Sequence, residues 1–128
     1  MRRAIETARA PRPVGPYSQG VAAGEMVFCA GQIGLDPASG TLVEGGAVAE
    51  AGRALENLAA VLEVAGLELD DVVKTTLFLA DLADGPAVNA VYARYFSAPQ
   101  PARSTIGVAS LPMGARVEIE AIAVRSAG

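Results

Sequence analysis

The chain has no histidine and no tryptophan, one cysteine and one lysine. Without histidine, Ser-His-Asp and Cys-His catalysis are excluded. A zinc site of the usual His/Cys type lacks its customary ligands. Cys29 stands alone, so there is no intrachain disulfide framework, which fits a reducing compartment such as the cytoplasm. No basic residue neighbours Cys29 to favour a thiolate, so it reads as a small core residue. No apolar run approaches the roughly 20 residues of a membrane helix. Arg2, Arg3, Arg9 and Arg12 are followed by no apolar segment of the kind a secretory leader carries. Four of the ten basic residues fall in these first twelve positions, Lys74 is the only lysine, and the net charge is −4. No basic stripe with interleaved aromatics exists, so nucleic acid is a disfavoured partner. Chemistry is left to carboxylates, arginine, tyrosine, hydroxyls and backbone amides, with no metal expected.

What is present is enough for a folded core. The 128 residues are 52% hydrophobic and 19% charged, which excludes disorder and predicts one domain over residues 1–128. Arg3 to Thr7 reads as a short edge strand. Ala10 to Gly20 holds three prolines and two glycines and reads as an ordered turn or arm carrying Tyr17. Met26 to Ala30 is a short apolar strand ended by Gly31.

Val48, Ala51, Leu55, Leu58, Leu62 and Ala65 recur at spacings of three and four, predicting a helix over 47–65 with Gly66 as its stop. Glu50, Arg53, Glu56 and Glu63 fall on its other faces, and Asn57 reads as solvated or locally bonded. Val72 to Ala80 is rich in β-branched and apolar residues and reads as a strand. Val73, Thr75, Leu77 and Leu79 are expected on one face, with Lys74, Thr76 and Phe78 on the other. Pro86 to Phe96 is expected to be a second helix that buries Val88, Val91, Tyr92 and Tyr95, with Asn89 off that stripe. Two final strands flank a Leu111-Pro112-Met113-Gly114 loop.

The fold class is therefore α+β, a sheet with two helices on one face. The strands are apolar on both faces, and two helices cover only one. The uncovered face would leave a large apolar patch, so a homo-oligomer is expected to bury it, with clefts at the subunit boundaries.

The C-terminal strands carry the candidate chemistry. Arg103, Thr105 and Gly107 share one face of the first. Glu118 and Glu120 share a face of the second, opposite Val117, Ile119, Ala121 and Ala123. If the two strands pair as a hairpin, Arg103 and the glutamates come together on the face away from the helices. Arginine is a fork for a carboxylate ligand. A carboxyl on a mostly apolar strand is a candidate proton carrier. Glu118 and Glu120 are about 6.6 Å apart along the strand, so their titrations should separate. The competing structural reading is an Arg103–glutamate ion pair that needs no substrate.

Several stretches together resemble one family. They are Val14-Gly-Pro-Tyr17-Ser-Gln-Gly20, Cys29-Ala-Gly31-Gln32-Ile, Leu55-Glu-Asn57-Leu, Val73-Lys-Thr-Thr76, Val88-Asn89-Ala-Val-Tyr92, Pro101-Ala-Arg103-Ser104 and Val117-Glu118-Ile-Glu120-Ala. In this order they are similar to the successive signatures of the Rid family of YjgF-type proteins. The resemblance implies a chorismate-mutase-like fold and a homotrimer with intersubunit clefts. It implies a cofactor-independent deaminase that hydrolyses 2-aminoacrylate-derived imines to 2-keto acids and ammonia. The alternative within the family is a non-catalytic trimer that binds small carboxylates.

By the same resemblance Arg103 would hold the substrate carboxylate, and Thr105 would add its backbone N–H. Gly31 would offer its carbonyl to the imine nitrogen. Glu118 would orient the attacking water and relay its proton. Tyr17, from an adjacent subunit, would cap the pocket, and Asn89 matches a family site position. Three positions depart from the deaminase pattern. Ala30 stands where serine is typical, Thr105 where cysteine is common, and Gly107 where glutamate is common.

Overall fold

The computed structural model describes residues 1–126. The chain runs β1 (Arg2–Ile5), β2 (Gly20–Ala23), β3 (Met26–Ile33), α1 (Gly46–Val64), β4 (Val72–Leu79), α2 (Gly85–Tyr92), β5 (Ala102–Gly107) and β6 (Val117–Val124). The six strands form one mixed sheet in the order β1-β2-β3-β6-β4-β5. β3 and β4 are each antiparallel to β6, hence parallel to one another, and β5 is parallel to β4. Each helix thus links two parallel strands. Leu55, Leu58 and Leu62 of α1 and Val88, Val91 and Tyr92 of α2 join Leu77, Leu79, Val117 and Ile119 of the sheet in one buried cluster. Both helices therefore cover the same face, as expected.

The predicted hairpin between the last two strands is not formed. β4 lies between β6 and β5. The helix α2 carries the chain back to the start of β4, so β5 must run parallel to it, and β6 closes the gap left between β3 and β4. The sequence pattern does not reveal β2 either. Its residues GVAA hold a single strand former, Val21, and its place follows from a two-residue turn at Gly24 and Glu25 that pairs Ala23 with Met26. β3 continues past Gly31 to Ile33. α2 stops at Tyr92, after which Arg94 and Tyr95 donate three residues back in tighter turns. A register shift between Val72 and Lys74 turns Val73 outward, so it does not share the buried face of Thr75, Leu77 and Leu79.

Two polar residues of α1 hold more than the helical pattern suggests. Asn57 is fully buried rather than solvated. Its amide donates to the carbonyls of Ile33 at 3.2 Å and Leu35 at 3.0 Å, while Arg53 donates to its Oδ1. Glu50 is also buried and accepts the backbone N–H of Arg116 at 2.8 Å. A Cβ on Gly34 would lie 2.6 Å from the Glu50 Cα, so only glycine lets the chain after β3 approach α1 this closely. Val48, expected in the apolar stripe, is 43% exposed. Gly66 has φ +75 and ends α1 as expected.

The other sheet face is open. It presents Met26 and Phe28 of β3, Phe78 of β4, Ile106 of β5 and Ile122 of β6, with Phe28 40% and Ile106 43% exposed. β5 is an edge strand exposed along its whole length.

Asn57→Ala removes the side-chain donor to the carbonyls of Ile33 and Leu35 and the acceptor for the Arg53 guanidinium. It should lower unfolding free energy by about 2–4 kcal/mol in urea titrations at matched protein concentration. An unchanged midpoint would show that the Asn57 bonds do not hold the end of β3.

Candidate active site

The proposed site residues fall into two groups on opposite faces of the sheet. The first group surrounds a bulge in β3. Cys29 pairs with Ala121 and Gln32 with Ile119, so Ala30 and Gly31 stand opposite the single residue Glu120 and are left out of the ladder. The Ala30 N–H donates to the Gln19 carbonyl at 2.9 Å. Glu118 comes up against Gly31: a Cβ there would meet the Glu118 carboxyl group, 2.9 Å from its carbon. Only glycine lets the carboxylate lie over this stretch of backbone. Tyr17 lies two residues before Gln19 and is 53% exposed.

Gln19 was not singled out by residue type, yet it fixes this turn. Its Oε1 accepts the Thr7 N–H at 2.8 Å, and its Nε2 donates to the carbonyls of Thr7, Ala10 and Pro11. A buried glutamine in a proline-rich arm can be found only once the arm is seen folded against the sheet. Cys29, at the foot of the bulge, is buried, and burial pushes its thiol up to about 12. It carries no nucleophilic chemistry.

Burial raises the Glu118 carboxyl above its ordinary range, and the nearby Glu120 charge raises it further. Of the shift expected on this strand, the raised carboxyl is that of Glu118. Among the described residues no group of three His, Cys, Asp or Glu is placed to hold a metal ion.

The second group lies on β5 and α2. Arg103 pairs in register with Thr75, and Thr105 with Leu77, both on the helix-covered face. Glu118 pairs with Phe78 and faces the open side. Arg103 and Glu118 are thus on opposite faces, two strand spacings or about 10 Å apart laterally. This corrects the expectation that they share a face, which rested on the hairpin.

Among the described residues the ion pairs are Arg9–Glu63 and Arg53–Glu56. Among these residues Arg103 has no carboxylate partner, so the structural ion-pair reading finds no support among them. Its guanidinium instead sits over the Tyr92 ring, 4.8 Å from the centroid. The Val108 N–H donates inward to Leu79. In a parallel pair alternate residues turn both backbone groups the same way, so the N–H of Thr105 points out from the free edge. Gly107 ends the strand beneath Leu82, whose Cγ would be 2.8 Å from a Cβ there. Asn89 is exposed on α2, one turn before Tyr92, and so belongs to the Arg103 side.

A family model described as Endoribonuclease L-PSP matches residues 7–125. A 2-iminobutanoate/2-iminopropanoate deaminase of Capra hircus is 53% identical over 98% of this chain and 91% of its own length. The structure of Escherichia coli TdcF with bound serine superposes with a TM-score of 0.92 at 44% identity, covering 97% of this chain and 99% of that one. RidA from an Antarctic Psychrobacter gives a TM-score of 0.92 at 44% identity, covering 95% and 98%.

The raised Glu118 carboxyl implies a pH-dependent cost. Burial penalises its ionised form, so the cost is absent below the ordinary carboxylate range and grows as pH rises through the raised pKa. Glu118→Gln should therefore melt with wild type near pH ~4 and above it near pH ~7. A variant that melts below wild type at both pH values would contradict this burial cost.

Proposed function

The chain belongs to the Endoribonuclease L-PSP family, that of the Rid proteins, and on that premise we propose how its two half-sites work as one deaminase. The protein is a hydrolytic deaminase of 2-imino acids and their enamine tautomers, of the 2-iminobutanoate/2-iminopropanoate type. The observation that carries its assignment to this site is the Arg103 guanidinium, unpaired with any carboxylate among the described residues, beside the outward N–H of Thr105, a cradle for a carboxylate. The absence of histidine and the net charge of −4 weigh against ribonuclease chemistry, whatever the family's description.

The facing of the residues supports an assembly. A three- or four-carbon imine cannot reach from one face of a sheet to the other. We assign Arg103, Thr105 and Asn89 to one subunit and Glu118, Gly31, Ala30 and Tyr17 to its neighbour. A homotrimer of chorismate-mutase-like domains, each spanning the whole chain, would meet this need and bury the open apolar face. In this arrangement Tyr17 arrives with Glu118, as the neighbour's contribution to the Arg103 half. No described helix is long and apolar enough to cross a membrane, and we place the protein in the cytoplasm.

The chemistry follows from these groups. Arg103 and the Thr105 N–H fix the substrate carboxylate, and the Gly31 carbonyl accepts from the protonated imine nitrogen. The imine carbon is already electrophilic, so positioning supplies much of the rate. Glu118 accepts a proton as water adds to that carbon and passes it to the nitrogen; as the C–N bond breaks and C=O forms, it takes the hydroxyl proton and hands it to the departing ammonia. Water and protonated imine become 2-keto acid and ammonium. Thr105 acts through its backbone, so its side chain need not be cysteine. Ala30 brings no hydroxyl, so orientation there rests on Gly31, and a carboxylate-binding role without turnover is the second reading that Ala30 favours.

Added to an amino-acid oxidase or serine dehydratase reaction, the protein should speed release of the 2-keto acid. Arg103→Ala should lower kcat/KM by about 10- to 100-fold. Equal rates for the two proteins would contradict the assignment. Keto-acid binding without acceleration by either would favour the second reading.

A further inference from the structure

We propose that Tyr92, locked by Thr75, is the positioning residue for Arg103. The inference rests on Arg103 binding the substrate carboxylate. Tyr92 lies almost wholly buried beneath the exposed strand β5, with the Arg103 guanidinium carbon 4.8 Å from its ring centroid. Its hydroxyl is 2.7 Å from the Thr75 Oγ1. Its ring packs against Phe96, with centroids 4.6 Å apart at 36°. Thr75 is the residue paired in register with Arg103 across β4 and β5. The ring of α2 is therefore tied to the strand position beside which Arg103 emerges.

The choice of an aromatic partner matters. An arginine on an exposed edge is free to sample many rotamers, and a site that binds carboxylate must restrict it. An acidic side chain would do so, but it would neutralise the guanidinium and compete with the substrate. A ring face attracts the cation without accepting its N–H bonds. The donors of the fork stay available for a bidentate ligand. Thr75 also needs explaining, since it is a buried hydroxyl on the face that carries Leu77 and Leu79. Its partner is the Tyr92 hydroxyl, so the polar pair satisfies itself while fixing the ring.

The test uses the full chain and 2-oxobutanoate as probe, measured by titration calorimetry, together with steady-state kinetics of imine hydrolysis. Tyr92→Leu removes the ring face and should raise both Kd and KM about three- to tenfold, with kcat within about twofold of wild type. Tyr92→Phe and Thr75→Val keep the ring but free it, and should each weaken binding about twofold. A merely structural role for Tyr92 would change melting temperature and leave KM alone. Wild-type Kd in Tyr92→Leu, with binding lost in Arg103→Ala, would overturn the Tyr92 assignment alone. Wild-type Kd in Arg103→Ala would instead overturn carboxylate binding by Arg103. Should Tyr92→Leu not fold, wild-type binding by both Tyr92→Phe and Thr75→Val would count as refutation.

Discussion

Successive side chains leave a strand by opposite faces, and that alternation governs how this protein can work. Register with Thr75 sends Arg103 to the helix side, and register with Phe78 sends Glu118 to the open side. The strand order, with β4 between β5 and β6, separates them further. A small anionic substrate cannot touch both within one copy of the chain, which is why the proposed site draws on two. The apolar open face and the exposed strand β5 are the surfaces such a meeting would use.

Each half is prepared by backbone as much as by side chains. On one side a two-against-one bulge releases Ala30 and Gly31 from the ladder, and the missing Cβ of Gly31 gives Glu118 its place. On the other side the free edge of the sheet turns the Thr105 N–H outward beside Arg103. These devices have costs. Glu118 is held where its charge is penalised, and an edge strand is left unpaired. Both fit the proposed site, in which a second copy of the chain would cover them.

Much of this was legible in the sequence. The three-and-four spacing of Ala51, Leu55, Leu58 and Leu62 marked α1, and β-branched content marked β4. The apolar strands pointed to an uncovered face; Arg103 and the pair Glu118 and Glu120 stood out by residue type, and the family resemblance chose Glu118 between the two. Other features depended on tertiary placement. Periodicity puts Asn57 beside the stripe, but only the end of β3 shows which carbonyls it serves. Alternation assigned faces within each C-terminal strand correctly. It could not say that β4 would lie between them, because strand order is set by the crossovers and not by local pattern. The hairpin inference failed there, and the shared face of Arg103 and Glu118 failed with it. Tyr92 looked like core because it is core, and its use as a platform for Arg103 needs the pairing of Thr75 with Arg103.

The most direct test is complementation between two inactive variants. Arg103→Ala and Glu118→Ala subunits would be unfolded together, mixed in equal amounts and refolded, and imine hydrolysis then measured. If each site takes Arg103 from one subunit and Glu118 from the next, about one quarter of sites regain both residues, and activity should return to about 25% of wild type. No return of activity in mixed assemblies shown to contain both variants would contradict the account, because it would mean that both residues act from the same subunit.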